Sequence, residues 1–597
     1  MKRITLAILA LIILFPALGW GATTYYLRYD GTVTSANKAN ATSCSAAATA
    51  LNVAQHNAAT FAPGDIIKLC SDGGIIYLPV WATVITPPTS GTVDGNITYE
   101  SASTPLTIID GSIDAKGSGD WTSIGSGSWT CTMASLNVNQ IFLNGLPGKI
   151  AAIPSSVGEW VQDGTTLTVN TGGDDAAHDP ATFFTSARRT LNDSLITISG
   201  KNYIVVRNLA FQYYRPVSSG AYNKAGIVIY NADHIVLRNN TFYECSSPTI
   251  ESTSSTNVTI DGNTFLATGY KTYGDVTTAN LSHVSIDFSS DNTTVKNNSI
   301  NGSVSTYDGT GIPYTGSAII ATVSDYSGTS GAKNLYIASN TVTKTYGYGI
   351  NVTGDDAANC GSGCNVNGVV ELNTLTDGRK VGGVDSDALS CGDTNTTPSW
   401  AYGLTFRRNR VDGYGNSCGQ STNSWLGVKW VANVFSNCGV YLAGWGGLRI
   451  IGDHLAYNNT IYNSYGNGIT CENGTTISNN IISTTLKQTS SAKGYSIQSY
   501  SLNATGSNNL LYGAETATTP NWSQINGVAG DPLFTSATDF SLQLHSPAVG
   551  AGTNLGATYA TDFDGVLQGC HGWDLGAKVA RLPNGETCWG RSTAVMK

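Results

Sequence analysis

In the stretches "HIVLRNNTF", "NVTIDGNTF", "NTTVKNNSI" and "NGVVELNTL", apolar side chains fall on every second position and the alternation stops at an asparagine. A period of two sends alternate side chains to opposite faces, so each stretch predicts a short, half-buried strand. No helical period competes with this, and the β-branched content argues against a helical repeat.

The asparagine recurs along the chain. The second or only asparagine of each motif gives anchors at Asn208, Asn240, Asn263, Asn298, Asn340, Asn373, Asn409, Asn433, Asn459, Asn480 and Asn509, with neighbours 21 to 42 residues apart. A floor near 21 residues with variable additions predicts a solenoid whose coils share a minimal length and take insertions at fixed corners. Three short strands per coil, stacked in parallel, fit that minimum. Asparagine suits the corner because it tolerates left-handed backbone angles, and its amide can donate and accept toward the coils above and below.

This repeated "xNNTI" pattern resembles the right-handed parallel β-helix repeat of the pectate-lyase-like superfamily, most clearly over residues 195–515. The resemblance implies an all-β fold: a right-handed parallel β-helix with three strands per coil, an N-terminal helical cap and a C-terminal cap. The expected division is a signal peptide at 1–21, a cap and first irregular coils at 22–190, the β-helix at 191–515 and a C-terminal capping region at 516–597. In "SCSAAATALNVAQHNAATFAPGDIIKLC", Leu51, Ala54 and Ala58 share a helix face before Pro63-Gly64 turns the chain into the strand "DIIKL". Residues 100–190 read as irregular coils or a small β insertion, and "DPLFTSATDFSLQLHSPAVGAGTN" is expected to close the far end of the stack.

Lys2 and Arg3, an apolar run from Ile4 to Leu18 and small residues at Gly19 and Gly21 form a secretory signal, cleaved near Gly21 or Ala22. The run falls short of the roughly 20 residues a bilayer span needs. The expected product is a secreted or periplasmic monomer with no membrane association after cleavage. Export makes disulfides the natural use of the 12 cysteines, and the short separations Cys44 to Cys70, Cys360 to Cys364 and Cys570 to Cys588 name candidate pairs. A formal charge of −9 repels phosphate backbones, so nucleic acid is not an expected partner.

Function on a rigid scaffold sits in loops, and the longest insertions fall between Asn263 and Asn409, where neighbouring walls would make a groove suited to a polysaccharide. The densest polar stretch there is "TDGRKVGGVDSDALSCGD", residues 376–393. Asp385 and Asp387 are two apart and would share one face of a strand. Paired carboxylates can act as acid and base in glycoside hydrolysis, or hold calcium through oxygen ligands. For calcium-assisted lyases the resemblance implies that a metal-held uronate has an acidified C5 proton, which a nearby Lys or Arg removes.

The catalytic candidates are therefore Asp385, Asp387, Lys380 and Arg408, with Asp385, Asp387 and Asp393 as Ca2+ ligands and Arg379, Arg407 and Arg410 as substrate-binding residues. "DSDALSC" matches the Asp-rich motif of one polysaccharide lyase family only loosely, since the basic residue expected after it is absent. "GDD" at 354–356 lacks the Gly-His-Gly companion of polygalacturonases. Arg407 and Arg408 must point to opposite sides of their strand, and His283 is a further candidate base. Trp400, Tyr402, Trp425, Trp430 and Trp445 gather just beyond the Asp-rich stretch, and indole faces stack on sugar rings. The expected function is a secreted polysaccharide-binding β-helix that cleaves its glycan as a lyase or hydrolase; the alternative is a non-catalytic adhesin or structural solenoid.

Overall fold

The computed structural model describes residues 22–581, apart from 72–74, 78–83, 115–120, 133–140, 144–145, 181–187, 191–193, 215–224, 246–247, 269–281, 288–289, 303–316, 323–332, 346, 354–364, 379–386, 393–400, 423–424, 440–444, 473, 487–493, 502–503, 515, 520 and 569–571. Strand Asp233–Arg238 lies in a first sheet (A), Thr241–Tyr243 in a second (B) and Ile250–Thr253 in a third (C), after which Thr256–Asp261 re-enters sheet A one layer on. Repetition of this circuit builds parallel sheets of 16, 14 and 12 strands for A, B and C. Parallel strands joined by crossovers take the right hand, and the solenoid is a right-handed parallel β-helix.

The period-two pattern decides what each coil buries. Leu237, Phe242 and Ile250 point into the stack and lie over Ile260, Phe265 and Val284 of the next coil, all fully buried. Phe211, Phe242 and Phe265 form a column with ring centroids 5.0 and 4.9 Å apart.

The corner between sheets A and B explains the doubled asparagines. Its second position carries a ladder unbroken from Asn240 to Asn509. Asn298, for example, donates its backbone N–H (3.0 Å) and Nδ2 (2.9 Å) to Oδ1 of Asn340, and donates from Nδ2 to the Ile260 carbonyl of the preceding coil (3.0 Å). The ladder ends on Gln524, whose Oε1 accepts from Asn509 at 3.2 Å. The first position supplies the left-handed backbone, at Asn239, Asn297, Asn458, Asn479 and Asn508, but also at Ser339, Leu372, Arg408 and Ala432. Left-handed geometry and ladder bonding thus belong to adjacent residues. Asn208 is the exception among the anchors: its φ of 54° puts it at the first position, and Leu209 occupies the ladder place, donating its N–H to Asn240.

The N-terminal helix is one short turn, Val53–Asn57, capped by the Asn52 side chain, which accepts from Gln55 N. It buries Val53 and His56, whereas Ala54 and Ala58 are exposed, so the expected face is displaced. His56 sets the orientation, because its Nε2 meets the Tyr99 hydroxyl at 3.0 Å while its ring stacks on Phe61. The expected strand "DIIKL" is Ile66–Leu69 in sheet A. Ile97–Ser101 and Ile108–Asp110 already belong to sheets A and B, and the strands between Ser112 and Thr190 form two small, mainly antiparallel sheets, which makes this region an insertion.

Within the expected capping region, 516–597, the residue that closes the stack precedes the stretch 531–554. The apolar end of the stack is covered by Trp522, which belongs to the main core and lies against Gly506, where a Cβ would strike the indole. Residues 551–563 instead run back along the flank. Ala551, Thr553, Tyr559 and Phe563 offer their carbonyls to Asn508, Asn479, Asn458 and Arg408 in turn. Phe534 and Phe540 pack on Tyr462 of sheet B beside this track. Cys44 and Cys70 form the expected disulfide, and Cys418–Cys438 is a second; Cys360, Cys364, Cys570, Cys588 and the signal segment lie outside the described residues. No helix among the described residues is long and apolar enough to cross a membrane.

Candidate functional site

The ladder corner admits no insertion, because one added residue would break its hydrogen bonds between coils. Extra length appears at the two edges of sheet C. Connections from Leu266 to Ser282, Asn301 to Ser317 and Thr376 to Asp387 stand on the sheet B side; those from Thr322 to Tyr336, Thr353 to Asn365 and Cys391 to Ala401 stand on the sheet A side. A further long connection, Gln212 to Ile227, precedes the expected region. The long connections therefore join sheet C to its neighbours at both of its edges, over the coils from Ser282–Asp287 to Asp387–Cys391.

Register places Asn351, Ser390, Gln420, Arg449, Thr470 and Gln498 in one outward row on successive strands. At two positions of the row the strand neighbours are apolar and buried: Ile350 and Val352 flank Asn351, and Leu448 and Ile450 flank Arg449. At the C-terminal end of this row stands an aromatic cluster. The Arg449 guanidinium carbon lies 4.2 Å from the Trp445 ring centroid, while Nη1 donates to Gln420 Oε1 at 3.2 Å. Tyr500 meets the same indole edge-on at 6.4 Å and is 51% exposed, so its ring is open to a ligand. Burial, with the charge of Glu472 adding to it, raises the Tyr500 phenol, which stays a neutral donor at physiological pH. Asn467 donates to both Thr470 Oγ1 and Gln498 Oε1, which fixes the amides behind the rings. A rigid indole, an open phenol, a guanidinium and side-chain amides are the groups that grip the ring faces and hydroxyls of a sugar.

Of the expected site residues, Asp385, Lys380, Arg379, Asp393 and Trp400 lie outside the described residues. Asp387 is fully buried at the start of its strand, its Oδ1 accepting from Asn416 Nδ2 at 2.9 Å and from Ser417 Oγ. Its register row, Asp387 to Ser417 to Gly446, ends beside Trp445, so both lie along the same edge of sheet C. Trp445 is the expected tryptophan that the structure brings to this face. Tyr402 is exposed but stands in sheet A beyond the opposite edge.

Other expectations are corrected. Trp425 and Trp430 are fully buried and cannot stack on a ligand. Trp430 fits inside because it lies flat on Phe406 at 4.3 Å while Gly419 opposite has no side chain to fill the space. Arg408 is a left-handed corner residue whose Nε donates to the Phe563 carbonyl at 2.8 Å, and Arg410 donates to Thr538 O at 3.2 Å, so both hold the C-terminal segment. Arg407 points out of sheet A and binds Glu371 at 2.6 Å. Burial opposes ionisation of Glu371, but hydrogen bonds from Arg407 and Tyr336 outweigh it and hold the carboxyl below its ordinary range. His283 is enclosed, bonded through Nδ1 to Thr268 Oγ1, and burial pushes its pKa down to about 3, so it is a neutral interior group rather than a base facing solvent. Among the described residues no cluster of three or more His, Cys, Asp or Glu is arranged to hold a metal.

Arg449, Gln420, Gln498 and Tyr500 were missed. Their signal lay in "GGLRII" and "SIQSY", where fixing Leu448, Ile450 and Ile497 as inward residues leaves the polar positions on the outward face.

The chain has the right-handed parallel β-helix fold. Residues 182–368 match the family described as right handed beta helix region. No curated protein sequence matches the chain. Among solved structures it is similar to XylC in complex with xylose, with a TM-score of 0.54 at 10% identity over 93% of this chain and 98% of that one. It is also similar to the Streptococcus pneumoniae surface protein and adhesin PfbA (TM-score 0.37, 11% identity, 76% of this chain and 92% of that one). A third is pectate lyase Pel9A, with a TM-score of 0.34 at 11% identity over 94% and 98% of the two chains. At 10% identity the likeness to XylC shows the fold alone.

Proposed function

We infer that the protein is an exported, polysaccharide-binding β-helix that holds a glycan against the outward face of sheet C. The observation that carries this is the Trp445–Arg449–Tyr500 cluster on the outward face of sheet C, on strands that follow the coils with the long connections. The two disulfides and the signal-like start accord with a secreted or periplasmic site of action. XylC, the solved structure of highest TM-score among those above, is in complex with xylose, which makes pentose polymers a first choice of ligand. Replacing Trp445 with alanine is expected to weaken oligosaccharide binding by about ten-fold or more, since the indole supplies both stacking area and a rigid seat for Arg449. Calorimetric titration of the mature protein checks this, and unchanged affinity in the variant would rule the cluster out as the site.

The proposal extends to cleavage by the polar residues that flank strand Asp387–Cys391, a strand of sheet C. Hydrolysis would use Asp385 as acid or base, and elimination would use calcium held by Asp385 and Asp393, because Asp387, expected among both sets, is fully buried and bonded to Asn416 and Ser417. Incubation with xylan, pectin and alginate, with and without calcium, distinguishes them by reducing ends and by the absorbance of unsaturated products. Binding without either product leaves the adhesin reading.

A further inference from the structure

Asn351 is 6% exposed, and its Oδ1 has no hydrogen-bond partner. A buried amide carbonyl left unpaired destabilises the fold, so its retention calls for a reason. Packing supplies none. At the same outward position one coil earlier stands Ile320, likewise buried, so an apolar side chain fits there without difficulty. A β-branched residue at 351 would also suit the strand "INVT" better than asparagine does.

The amide lies in the same outward row as Arg449, with Ser390 and Gln420 on the strands between. Three strand spacings of about 4.8 Å separate Asn351 from Arg449 by roughly 14 Å along the stack. A hydroxyl donor bound on this face would complete the Asn351 carbonyl, while a ring at the other end meets Trp445 and Tyr500. A ligand that reaches both is longer than a disaccharide.

The geometry points to Asn351 as a second ligand anchor, remote from the aromatic cluster, and hence to a linear oligosaccharide lying along the stack axis as the ligand class. This rests on sheet C being the glycan face. The hydrogen bond to Asn351 is made only by chains long enough to span the row, and shorter chains bind at the aromatic end alone.

The test uses Asn351→Val with linear xylo-, cello- and galacturono-oligosaccharides of two to six units. Removing an unpaired buried amide is expected to leave Tm unchanged or raised. Affinity for the six-unit chain is expected to fall about five-fold, the effect of one lost hydrogen bond, while affinity for the two-unit chain is unaltered. A Tm lowered by several degrees would show that the amide is structural and overturn the inference. So would equal affinities of variant and unmodified protein for the long chain, or equal losses for long and short chains. Failure of the underlying reading looks different: the unmodified protein then binds none of the oligomers.

Discussion

Replacing Asn409 with leucine is expected to destabilise the stack by about 3–6 kcal/mol, although the two side chains share the same branched skeleton and the site is fully buried. Asn409 Oδ1 accepts from the backbone N–H and the Nδ2 of Asn373, and its own Nδ2 donates to the Val370 carbonyl and to Asn433 Oδ1. Leucine leaves the Asn373 N–H buried without its acceptor and takes a donor from the Val370 carbonyl and from Asn433 Oδ1, each loss worth about 1–3 kcal/mol. The neighbouring corner offers a control of opposite sign. Ala432 holds a φ of 52° with no side-chain bond, so Ala432→Gly relieves left-handed strain and is expected to stabilise by roughly 0.5–1 kcal/mol. Urea midpoints followed by circular dichroism compare the two, and similar small shifts for both would refute the ladder's role. Because each coil touches only its neighbours, hydrogen exchange in the leucine variant should quicken around Asn373 and Asn433 and stay unchanged near Asn240.

The contrast between those substitutions also explains what the sequence could reveal. Strand, ladder and repeat length are local properties, written in two-residue alternation and in a corner of fixed length, and these were legible. The split between the two asparagines was not, because a left-handed corner accepts Asn, Ser, Leu, Arg or Ala whenever the ladder residue behind it fixes the backbone. That tolerance hid Arg408 as a corner residue, and the same ambiguity misassigned Asn208 by one position. Trp430 looked too large for the interior because its room comes from Gly419, which is near in sequence but on another sheet. The path of the C-terminal segment depends on carbonyls meeting side chains up to 155 residues away, a relation that no periodicity encodes. For the candidate site, the excess of tryptophans marked the right coils, but stacking in the core and exposure on sheet C follow from inward or outward register, and among the described tryptophans of that stretch Trp445 lies on the outward side while Trp425 and Trp430 are buried.

Lowering the pH from about 6.5 to about 5 is expected to remove on the order of 6 kcal/mol of stability, the combined contribution of three enclosed histidines. Burial pushes His56 and His454 down to about 4 and His283 down to about 3. Their bonds agree with neutral rings: His454 Nδ1 accepts from Val428 N, and His56 Nδ1 faces the Asn57 carbonyl while Nε2 faces the Tyr99 hydroxyl. A folded pKa below the unfolded value of about 6.5 means that the unfolded chain takes up protons first. The stability these histidines contribute is present above pH 6.5 and is lost as the pH falls toward their folded values, at about 1.4 kcal/mol per pH unit each. Carboxylates act in a lower window. Asp233 and Asp539, held low by hydrogen bonds that outweigh burial, lose their contribution only below the ordinary carboxylate range, and Asp562, raised by burial, shifts stability the opposite way there. The interval from 6.5 to about 5 therefore reports on the histidines. Unfolding free energy measured across it should slope by about 4 kcal/mol per pH unit, and any single His→Gln variant should lose about a third of that slope whatever its own stability. A flat profile, or a slope that survives all three substitutions, would show that these rings are not the acid-sensitive elements of the stack.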